Sequence, residues 1–159
     1  MVQPARPAPI ADAYTTIQAA VDAAQSGDEI RIAKGVYTKS DAPSDGNVVL
    51  INRKSLKLVG GFVLDDWTKH GAASDTMIDG ADLWRGIEVQ GAGIDIEHLT
   101  VARDYAQNKD GSIHGGGLYV RTAGQTSTLL DVVLRNNVAG AMATACIRWE
   151  VQRKLHVAK

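Results

Sequence analysis

Val49-Leu50-Ile51-Asn52-Arg53-Lys54-Ser55-Leu56-Lys57-Leu58 holds two short alternating runs, Val49-x-Ile51 and Leu56-x-Leu58, and the arrangement returns as Ile87-x-Val89 and Ile94-x-Ile96. All four positions move by 38 residues, 49 to 87 at one end and 58 to 96 at the other. The first pair returns again as Leu118-x-Val120, 31 residues on. The second returns near Thr128-x-Leu130, 34 residues on, with Gly124-Gln125-Thr126 as the insertion and Leu99 matching Val133. Strands alternate their side chains between two faces, so each x falls outward and the flanking residues inward. A fixed offset then stacks each inward residue on its equivalent, as in a solenoid built from one supersecondary unit per repeat. The expected fold is therefore all-β: a right-handed parallel β-helix (solenoid) of about three to four rungs. The alternative is an ordinary β-sandwich. In the β-helix register Lys57 and Asp95 fall on equivalent outward positions and should form a cross-rung ion pair.

Upstream, the period is helical. Thr15-Thr16-Ile17-Gln18 has the form of a capping box. Ile17, Ala20, Val21 and Ala24 recur on one face, and Gly27 is placed to end the helix in a left-handed cap. This predicts a short capping α-helix over about residues 16–26. Beyond it Glu29-Ile30-Arg31-Ile32 and Val36-Tyr37-Thr38 alternate as strands, and Thr76-Met77-Ile78-Asp79 supplies another between repeats. The domain reading is a disordered, Pro- and Ala-rich arm over 1–13, the β-helix over 14–140, and a final partial rung or capping helix over 141–159. In that tail Trp149-x-Val151 repeats the 31-residue step, while Ile147, Val151, Leu155 and Ala158 share a helical face.

Thr16-Ile17-Gln18-Ala19-Ala20-Val21-Asp22-Ala23-Ala24, followed by Gly27-Asp28 and Lys34-Gly35-Val36-Tyr37, resembles the N-terminal cap and first rung of the pectin lyase-like superfamily. Pectinesterases carry a close relative of this string. So do non-enzymatic bacterial surface β-helices, including the choice-of-anchor Q proteins. Leu56-x-Leu58-Val59-Gly60-Gly61-Phe62 with Asp66-Trp67, and His114-Gly115-Gly116-Gly117-Leu118-Tyr119-Val120, resemble that surface branch. The resemblance covers about residues 15–140 and implies an extracellular or cell-surface setting. The start of the chain shows no basic region followed by an apolar one, so the expectation is a trimmed signal peptide or a start inside a longer gene.

The 17 basic and 18 acidic residues among 159 leave a net charge of -1, and they are mixed along the chain. Phosphate binding needs a basic excess, so nucleic acid is not expected as a partner. No apolar run approaches the ~20 residues that span a bilayer. Cys146 is the only cysteine; it reads as a small buried apolar residue, since a reactive thiol needs an electropositive, partly exposed setting.

The longest candidate binding loop runs from Arg103 to Ser112 and supplies Arg103, Asp104, Tyr105, Lys109 and Asp110, with His114 beside it. Loops at such positions wall the substrate groove in the polysaccharide lyases that the chain resembles. Asp65-Asp66 has the carboxylates Ca²⁺ prefers, but adjacent residues in an extended segment point apart and one pair offers too few ligands. No metal and no cofactor are expected, Ca²⁺ entering only under a lyase reading. His70 reads as an exposed loop histidine. Asp79-Gly80-Ala81-Asp82 reads as turn chemistry, and Gly115-Gly116-Gly117 lacks the Lys-Ser/Thr of a phosphate loop. The acid pairs and Arg signature of polygalacturonases are absent, as are the segments expected of pectinesterases. The functional expectation is a non-catalytic secreted or cell-surface β-helix presenting a ribbed surface to a polysaccharide or a surface protein. It could also self-associate through its C-terminal edge. The alternative is a polysaccharide lyase or hydrolase, or a fragment of one.

Overall fold

The computed structural model describes residues 13–39, 46–64, 66–106, 115–122, 124–139 and 145–148. Among them are one α-helix, α1 (Ile17–Ala23), and the strands β1 (Glu29–Ala33), β2 (Gly35–Thr38), β3 (Asn47–Asn52), β4 (Leu56–Val63), β5 (Asp66–His70), β6 (Thr76–Asp79), β7 (Arg85–Gln90), β8 (Ile94–Ala102), β9 (Leu118–Arg121), β10 (Thr128–Arg135) and β11 (Ala145–Arg148).

The strands form two mainly parallel sheets. One has seven strands, in the order β1-β4-β8-β6-β2, with β10 added to β8 and β5 added to β4. The other has four, in the order β11-β9-β7-β3. This corrects the expected right-handed parallel β-helix of about three to four rungs: the larger sheet branches, and it contains an antiparallel pair, β4 with β5. The physical cause lies in β4 and β8. β8 turns at His98, whose φ of 53° lets one strand serve two ladders. Leu56–Val59 of β4 pair with Ile94–Glu97, and Met77–Asp79 of β6 pair with Thr100–Ala102. β4 runs on through Gly60 and Gly61 and doubles back as a hairpin, which a search for one repeat length does not register.

The 38-residue offset holds. Val49 faces Ile87 and Ile51 faces Val89, while Leu56 faces Ile94 and Leu58 faces Ile96. The 31-residue step also holds, Ile87 facing Leu118 and Val89 facing Val120. All ten inward side chains are at most 4% exposed and belong to one apolar cluster with Ile78, Leu99 and Val101. Burying each Ile or Leu contributes about 1.5–3 kcal/mol. The third return is one residue out. Leu129, not Leu130, faces Ile96, and Val132, not Val133, faces Leu99. A one-residue slip exchanges the two faces, so Leu130 and Val133 point outward. In the tail Ala145 and Ile147, rather than Trp149 and Val151, face Leu118 and Val120. Residues 149–159, like the arm over 1–12, lie outside the described residues.

Helix α1 is shorter than expected. Thr16 is its N-cap, the side chain accepting from the Ala19 amide at 3.1 Å, and Ala24 ends it in an extended conformation. Gly27, at φ 99°, sits in the following turn and donates to the Ser55 carbonyl at 2.7 Å. Gln18 is not part of a capping box. Its amide binds the β3 backbone at Leu50, accepting from the N–H at 2.7 Å and donating to the C=O at 3.1 Å. The edge of the smaller sheet is thus closed by one side chain that mimics a peptide, while Ile17 and Val21 go into the core.

Candidate functional site

The outer face of the larger sheet gathers side chains from five strands, β1, β4, β5, β8 and β10. The β4–β5 hairpin sets Phe62 opposite His70. It is tied at its base by the Gly61 amide donating to Thr76 Oγ1 at 2.7 Å and the Gly71 amide to the Gly61 carbonyl at 2.9 Å. Gly61 has φ 82°, a conformation that suits glycine. Phe62 is buried beneath Trp67 (ring centroids 5.9 Å), the edge of His70 (5.6 Å) and the Arg31 guanidinium (5.3 Å). His70 is exposed and stacks on His98 at 4.4 Å, and His98 Nδ1 lies 3.0 Å from Asp131 Oδ2. Arg31 fixes the hairpin by donating to the Trp67 carbonyl at 2.9 Å. The product is a partly exposed aromatic and imidazole surface on a rigid sheet.

A charged row borders it. Glu29 pairs with Arg31 at 2.8 Å and with Lys57 at 3.6 Å, and Lys57 pairs with Glu97 at 3.2 Å. The Arg31 hydrogen bond holds the Glu29 carboxyl below its usual range, and Glu97 raises the Lys57 ammonium. Lys57 and Asp95 are opposite each other, as the offset requires. The ammonium nevertheless goes to Glu29, its partner on β1, and to Glu97, which stands opposite Val59 two residues along the row. Exposed pairs of this kind contribute little to stability but fix side-chain positions.

The loop residues singled out from sequence are dispersed. Arg103 is exposed and pairs with the buried Asp79, whose other oxygen accepts from the Ala81 amide at 2.8 Å in an Asx-turn. Tyr105 is 38% exposed and bridges to Val138. Asp104 is 1% exposed, with neither carboxyl oxygen hydrogen-bonded, and lies against the α-carbons of Gly80 and Gly86. Burial pushes its pKa up to about 9, reinforced by Asp79 and Asp82; the Gly80 amide tempers the rise but is committed to the Ala102 carbonyl. Lys109, Asp110 and His114 lie outside the described residues.

Other polar groups have structural partners. Arg85, buried on β7, pairs with Glu88, donates to the Gly115 carbonyl at 3.0 Å and covers the Tyr119 ring at 5.2 Å. Asp66 accepts from the Thr68 amide at 3.1 Å, turning the hairpin. Among the described residues no three His, Cys, Asp or Glu side chains are grouped to hold a metal ion. None of the described helices is long and apolar enough to cross a membrane. A groove of about 550 Å³ opens between α1, β2 and β3.

The aromatic surface was not singled out from sequence. His70 lies on a strand rather than in a loop. The signal that marks the site is the glycine set Gly60-Gly61 and Gly71, which brackets a hairpin ending in two aromatic residues and a histidine. Comparison with protein-family models, curated proteins and solved structures finds no match.

Proposed function

We propose that the chain is a non-catalytic binding protein, acting outside the cell or at its surface, that holds a glycan across the outer face of its larger sheet. The observation carrying this reading is the Trp67–His70–His98 surface, stacked on buried Phe62 and bordered by the Glu29–Lys57–Glu97 row. A sugar ring has an apolar C–H face and a polar rim. It therefore suits a flat aromatic group with charged hydrogen-bonding side chains at its edge. Because the hairpin is pinned by Arg31 and two glycine contacts, little ordering entropy is lost on binding. The extracellular setting rests on the resemblance of the N-terminal segment to bacterial surface proteins.

Calorimetric titration with a panel of neutral and acidic polysaccharides tests the reading. Binding by at least one, weakened about 30-fold by Trp67→Ala as for loss of a central aromatic anchor, is expected. Absence of binding across the panel, or binding untouched by both Trp67→Ala and His70→Ala, overturns it. New chain ends appearing in the polysaccharide would overturn the non-catalytic part.

A further inference from the structure

The rim of the aromatic face is not evenly charged. Among the described side chains, each cation there already meets a carboxylate. Arg31 pairs with Glu29 at 2.8 Å, and Lys57 lies between Glu29 and Glu97 at 3.6 and 3.2 Å. Lys34, beside Gly71 at the end of the hairpin, pairs with Asp75 at 2.8 Å. The carboxylates are not all used in return. Lys57 meets Oε2 of Glu97 and His98 meets Oδ2 of Asp131, and the second oxygen of each has no described donor. The Glu97 and Asp131 side chains are 23% and 51% exposed, so those oxygens are open to a ligand. Their position ties them to the stacking surface. Glu97 adjoins His98 in β8, and Asp131 holds the imidazole on which His70 stacks. Leu130 of β10 stands opposite Glu97 and is 54% exposed, so an apolar side chain continues the face beyond the carboxylate.

Resting on the glycan reading above, we propose that this face takes a neutral glycan and rejects uronates, with Glu97 and Asp131 as the residues that set the choice. A sugar hydroxyl is a donor, and a carboxylate oxygen is its strongest acceptor, because charge-assisted hydrogen bonds are shorter and stronger than neutral ones. The open oxygens of Glu97 and Asp131 border the rings that cover the C–H face of a sugar, where its hydroxyls emerge. A uronate brings another carboxylate to the same border. It must break Arg31 from Glu29 or Lys57 from Glu97, or stand unpaired against Glu97 and Asp131. Like charges brought together at an interface cost affinity. A hexose with a hydroxymethyl group at the same carbon meets neither obstacle.

The test is calorimetric titration of the full chain with matched pairs of oligosaccharides that share length and linkage and differ only at C6: glucose with glucuronate, galactose with galacturonate, mannose with mannuronate. The expected result is binding of the neutral member of at least one pair, with its uronate counterpart about tenfold weaker or more at low salt. The gap should narrow in about 0.5 M salt, where charges are screened within a few ångströms. Asp131→Asn and Glu97→Gln keep the shape of each side chain and an acceptor oxygen, and circular dichroism checks that both variants fold. Each should raise uronate affinity relative to neutral affinity about fivefold, as for removal of one like charge ~4 Å away in water. A uronate that binds as tightly as its neutral partner overturns the inference and leaves the binding face standing. An affinity ratio unmoved in both variants overturns it too. Silence from every pair also overturns it, and the wider polysaccharide panel then decides separately whether the face binds glycans.

Discussion

Replacing Gln18 with Ala removes the only described group that closes the β3 edge at Leu50. Two partly buried hydrogen bonds to β3 are lost, at 2.7 Å to the Leu50 amide and 3.1 Å from the amide nitrogen to the Leu50 carbonyl, together with an exposed one to Asp22. Each contributes about 1 kcal/mol net, and a backbone group left dry costs more than one reached by water. Alanine recovers a few tenths of a kcal/mol of helix propensity. The expected loss is therefore ~2 kcal/mol, or about 4–8 °C in Tm for a chain of this size. Urea unfolding followed by circular dichroism should show a lower midpoint with an unchanged slope. Gln18→Glu should fall between parent and Ala, because its carboxylate still accepts from the Leu50 amide but sets an oxygen against the Leu50 carbonyl. A Gln18→Ala midpoint within about 0.5 kcal/mol of the parent would refute the side chain's role as a substitute strand.

Asp104→Asn should stabilise the chain at pH 7. The folded carboxyl keeps its proton up to about pH 9, while the unfolded one releases it near 3.8. The unfolded state thus binds fewer protons between these values, and stability falls as pH rises from about 4 towards 9. The gain at pH 7 is at most about 4 kcal/mol, at ~1.4 kcal/mol per pH unit. Melts at pH 5 and pH 8 check it: Asn should flatten the parent's decline, and an equal decline in both would count against the buried acid. Arg85→Met leaves Glu88 buried without its guanidinium and should cost about 3–5 kcal/mol, most of it recovered in Arg85→Met/Glu88→Leu, as urea unfolding would show. Gly60→Ala drives a methyl group into the His98 carbonyl, with Leu99 and Thr76 also in contact. It should cost about 1–3 kcal/mol in a thermal melt and disturb His98 beneath His70.

Pairing was legible in the sequence wherever two residues bury side by side at one offset. Val49, Ile51, Leu56 and Leu58 meet the partners that the 38-residue shift assigns. The shift failed at β10, where Leu129-Leu130 and Val132-Val133 offer an apolar residue in either register and a turn of one residue less goes unseen. The tail failed for the same reason, since Ala145-x-Ile147 alternates as well as Trp149-x-Val151. Branching of the larger sheet was hidden because it depends on one left-handed residue, His98, within an otherwise regular strand. The candidate site was hidden because the hairpin brings Phe62 to His70 by antiparallel pairing, against the parallel rule of the repeat, and His98 reaches it from the next layer. Gln18 was noticed as a helix-capping residue; that it turns outward to Leu50 depends on where β3 comes to rest.

The measurement that bears most directly on the binding face is an amide shift map of the ¹⁵N-labelled chain during titration with an oligosaccharide from the polysaccharide it binds. The account predicts that the largest shifts gather at Arg31, Phe62, Trp67, His70 and His98, with the Trp67 indole N–H among them. Shifts gathered instead along the groove between α1 and β3, at Thr16, Tyr37 and Asn47, would place the ligand elsewhere and contradict it.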